Sequence, residues 1–226
     1  MKCSKMIRWV VAVAAVIMFP LAVWGQKTGQ NAQNPELYLT PDSSYSRTGK
    51  NLAARFRSDL LSLASKVNQE FKPDRFELLD INQVKSGGIG FWINPNMLVP
   101  DARYLGVAAR VNIRLPYFPD SEWGRVGDGL DAFGKDLMQI SGFYLDEIQD
   151  TSVRGVVLVM IYSKAELNDP AYWDQAEAIA IFIPRNTLNA FNAHRMTVSK
   201  LFDQSDIYVF KGPEQLQILF TEFLRG

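Results

Sequence analysis

The chain has 226 residues, 47% of them hydrophobic and 21% charged, with 24 basic against 24 acidic side chains. That composition fits one globular domain with a sizeable core, and the missing basic excess argues against nucleic acid as the main partner. One cysteine and one histidine exclude a disulfide framework and leave carboxylate oxygens as the only abundant metal ligands, so no metal site or cofactor is expected.

Residues 1–25 read as a bacterial-type signal peptide. Lys2, Lys5 and Arg8 precede an apolar run from Trp9 to Trp24 broken by Pro20, with a cut expected before Gln26. Cys3 lies ahead of that run, where lipidation has no use for it. An uncleaved anchor is the alternative, disfavoured because the run is short for a span. Cleavage would leave 21 basic residues against 24 acidic, a net charge of −3. The expected location is periplasmic or extracellular, with the membrane a partner only if the segment stays attached.

Residues 26–48, rich in Asn, Ser, Thr and Pro, read as a polar linker, and residues 49–226 as a single domain. Leu52, Phe56, Leu60, Leu63, Val67 and Phe71 recur every three or four positions, which predicts one helix of about six turns ended by Pro73. Residues 75–84 alternate as a strand, and Ser86, Gly87 and Gly88 mark a turn into 89–93, so a hairpin is expected. Gly88-Ile89-Gly90 superficially resembles a phosphate loop, but Pro95 blocks the helix such a loop needs.

Residues 104–115 alternate, with Val107, Ala109, Val111, Ile113 and Leu115 on one face and Ala108, Arg110, Asn112 and Arg114 on the other. The expectation is a strand with one wet side. Arg110 and Arg114 on that side would grip an anion or a carboxylate, or simply defend an edge, and reversing both charges would leave the fold intact. A helix capped by Asp128 follows, carrying Leu130, Phe133, Leu137, Ile140, Tyr144, Leu145 and Ile148, with a close neighbour or a break near Gly142.

The pivot of the chain is the apolar run 156–162, VVLVMIY, and its match 178–183, AIAIFI. Both are too short to span a membrane and rich in β-branched residues, so they read as antiparallel neighbours buried on both faces. Burying the first contributes about 10 kcal/mol at most. Between them Asn168-Asp169-Pro170 predicts one capped helical turn. A helical stripe at 186–202 containing His194, continuous or interrupted near Thr197, a short strand at 206–211 and a last helix from Gly212 complete the order. The fold class is α+β: an antiparallel or mixed sheet of about six strands with helices packed on it.

No nucleophile elbow, triad or metal spacing appears, so an enzyme is not the expectation and no catalytic residue is named. Loop aromatics point instead to binding. Trp92, Tyr117, Trp123, Tyr172 and Trp173 fall near strand ends, where they form either a stacking platform for a ligand or a plug for the core. The expected function is an exported cell-envelope protein with a non-enzymatic binding role, its partner a protein or a small ligand. Two alternatives remain: an envelope hydrolase using Asp120 with Glu122, or Asp169 with Asp174, on glycan, and a membrane-anchored assembly factor.

Overall fold

The structure, a computed structural model, describes residues 34–97, 99, 101–112 and 122–225. The signal segment 1–25, the first part of the expected linker, and Arg114 and Tyr117 lie outside those residues. Residues 33–226 belong to one compact unit.

Six strands form one mixed sheet. They are β1 (Phe76–Leu78), β2 (Ile89–Trp92), β3 (Arg103–Val111), β4 (Val153–Tyr162), β5 (Glu177–Pro184) and β6 (Asp206–Lys211). The path across the sheet runs β1-β3-β4-β5-β6, with β2 also on β3. β3 and β4 are parallel, and every other pairing is antiparallel. The parallel pair needs a crossover, which α3 (Glu122–Gly129), a π-helical turn (Leu130–Gly134) and α4 (Lys135–Glu147) supply.

Helices cover both sides. α1 (Arg47–Arg55) and α2 (Arg57–Glu70) precede β1, α5 (Arg185–Asn192) and α6 (Val198–Asp203) link β5 to β6, and α7 (Gly212–Arg225) ends the chain. Alternation in the strands sorts their side chains into two cores. Val156, Leu158 and Met160 join Leu63, Val67, Leu137 and Leu188 from α2, α4 and α5. Val157, Val159 and Ile161 join Tyr172, Leu219 and Phe223 on the opposite face. β4 and β5 are therefore sealed above and below, as their unbroken apolar runs require.

Several expectations need correction. The single long helix is two, α1 and α2, because Phe56 leaves helical geometry at φ −108° and ψ 25° while its ring stays in the core. The hairpin is not one. β1 and β2 both run antiparallel to β3, pairing with 109–111 and 104–107 respectively, so they are one edge strand interrupted by an excursion. Leu79 donates to Ala108 O at 3.1 Å, and Ala108 donates to Gly88 O at 2.7 Å, so both ends of the excursion meet at one residue. A Cβ on Gly88 would sit 2.5 Å from Ala108 O, which is why glycine closes that junction.

The expected wet side of β3 is also absent, since all nine of its residues are buried. Period-two alternation was correct, but both faces are covered by helices and loops. His194 is not helical: it sits exposed at φ 56° in the turn between α5 and α6. The helix expected to be capped by Asp128 starts earlier, at Glu122, and passes Gly142 unbroken, where the close neighbour is the Asn192 side chain of α5.

Finally, residues 34–48 are no free tether. Tyr38, Leu39 and Thr40 are buried, and the backbone docks along β2: Thr40 N donates to Ile89 O at 2.8 Å and Gly88 N to Tyr38 O at 2.9 Å. Tyr45 closes the strap, its hydroxyl accepting from Phe91 N at 3.2 Å, and burial pushes that phenol up to about 12. A few apolar side chains and a run of backbone bonds hold the segment, which its polar average hides.

Candidate functional site

The carboxyl ends of the parallel pair β3 and β4 are where open sheets usually collect a site. Arg110, near the end of β3, stands in register with Glu77 of β1. Its Nη2 donates to Glu77 Oε2 and its Nη1 to Leu167 O at 3.1 Å. Tyr172 and Trp173, from the 3₁₀ turn Pro170–Gln175, lie over the guanidinium with ring centres at 5.1 and 5.5 Å. Gln83 Nε2 donates to the other oxygen of Glu77 at 2.5 Å. The turn is set as its Asn-Asp-Pro start implies, with Asp169 Oδ1 accepting from Ala171 N at 2.8 Å.

This assembly is a clamp. Arg110 is 8% exposed, and its charge is answered by Glu77 and two aromatic faces, so it has no reach left for an outside anion. Tyr172 is sealed too: its hydroxyl donates to Ile161 O at 2.7 Å, and burial pushes its ionisation upward. Trp173 is half-buried and is the one aromatic of this group with a face toward solvent.

The other expected site residues do not join it. Trp92 lies at the amino end of β3, fully buried, edge-on to Phe220 at 6.0 Å and packed over Gly106. It plugs the second core and offers no stacking surface. Arg114, Tyr117 and Asp120 lie outside the described residues, as do the side chains of Glu122 and Trp123. Asp169 is occupied as a cap.

A second polar group sits at the opposite end of the sheet, and sequence reasoning missed it. Asn94, buried beneath α7, donates to Asp206 at 2.6 Å and accepts from the Tyr208 hydroxyl at 2.9 Å. Burial and then Asp206 push the Tyr208 phenol up to about 12. Residues 94 and 206 are too far apart in sequence for spacing to signal the contact. Each partner is spent on the others, which makes the group a staple between the residue 93–97 loop and β6.

What stays open is an edge. The β1–β2 side of the sheet is closed by the 34–46 strap, whereas β6 has a strand on one side only among the described residues. Ile207, Tyr208 and Val209 are half-buried, unlike the sealed positions of β4 and β5. Among the described residues no helix is long and apolar enough to cross a membrane, and no three His, Cys, Asp or Glu side chains gather as a metal site. Comparison with family models, curated proteins and solved structures finds no match to this chain, so its chemistry is argued from its own residues.

Proposed function

We propose that this chain is an exported cell-envelope protein with a non-enzymatic interaction role, and that it engages a protein partner through the outer edge of β6, which carries no further strand among the described residues. The observation that carries this reading is the contrast between the two edges of the sheet. One is strapped by residues 34–46, and the other presents the regular, apolar strand DIYVFK with no proline or bulge to blunt it. A strand of that kind recruits an extended segment by backbone hydrogen bonding, with side-chain fit adding specificity. Export rests on Lys2, Lys5 and Arg8 ahead of the apolar run, with the domain delivered beyond the membrane after a cut before Gln26.

The test has two arms. Intact mass of the chain recovered from the envelope fraction is expected to begin at Gln26, and a chain confined to the cytoplasm would overturn the export reading. A photo-activated cross-linker at Val209 in living cells is expected to give a protein adduct, while one at Phe143, exposed on α4, does not. No adduct at Val209 would overturn the interaction reading.

A further inference from the structure

We draw no further inference here: the strongest candidate, the open groove between α2 and α4 lined by Ser62, Ser65, Lys66, Gln69 and Tyr144 with Phe143 exposed beside it, has its Lys66 and Ser65 already spent on Glu70 and Leu61, and nothing in the structure shows what covers it.

Discussion

Glu77 and Arg110 face each other across the β1–β3 ladder, and their two side chains differ in access to water: 38% exposed for the carboxylate, 10% for the guanidinium. That inequality makes the pair asymmetric. Glu77→Ala strands a buried cation and is expected to destabilise by about 3 kcal/mol. Arg110→Met leaves a carboxylate that can hydrate and fills much of the same volume, so about 1 kcal/mol is expected. Denaturant midpoints of the two variants measure the order, and the reverse order would contradict the account. Arg110→Glu sets two carboxylates together beneath Tyr172, so the double reversal with Arg114 is expected to cost stability, contrary to the sequence-based expectation.

Val159 is fully buried in the second core, on the central strand of the sheet. Val159→Asp forces an unpaired charge between layers, and loss of soluble folding is expected. A variant with native circular dichroism and an unchanged melt would refute the burial.

Gly106 lies directly under the indole of Trp92. A Cβ there would sit 2.0 Å from Trp92 Cδ1 and 2.2 Å from Nε1, so Gly106→Ala requires the ring to move. With Phe220 against the indole, that move is expected to cost about 3 kcal/mol. Trp92→Leu in the same chain is expected to recover part of the loss, giving a coupling energy that a double-mutant cycle reads. Independent, additive effects would refute the contact.

Asp150 accepts from the Ser152 hydroxyl at 2.7 Å and the Ser152 N–H at 2.9 Å, and its other oxygen takes Arg55 at 2.9 Å. Those hydrogen bonds, with a smaller contribution from Arg55, hold its carboxyl below the ordinary aspartate range. A folded value below the unfolded one means the stabilisation is full above the ordinary range and is lost as pH falls through the folded value. Asp150→Asn is therefore expected to flatten the acid limb of stability against pH. A limb of unchanged slope in denaturant melts from neutral into acid would remove Asp150 from it.

Much of the architecture was legible in the residues because burial on both faces leaves an unmistakable signature. The runs 156–162 and 178–183 became β4 and β5 as antiparallel neighbours, and the Asn-Asp-Pro cap produced its turn. β3 misled because alternation with arginine on one face looks the same whether that face meets water or an ion pair. Its arginine found Glu77, thirty-three positions away, and two loop aromatics. The platform of aromatics dissolved for the same reason: Trp92 and Tyr172 ended up inside, and proximity to a strand end in sequence does not say which end of the sheet or which layer a ring will occupy.

The sequence alone determined which stretches must hide from water and with what period, since hydrophobic spacing is a local property that every register of the fold must respect. Only the tertiary structure decided that β1 and β2 are one broken edge, that the 34–46 strap guards it, and that β6 has a strand on one side only among the described residues. Those outcomes depend on backbone hydrogen bonds between residues far apart in the chain. A backbone donor is the same at nearly every residue, so it leaves no mark in the letters that encode it.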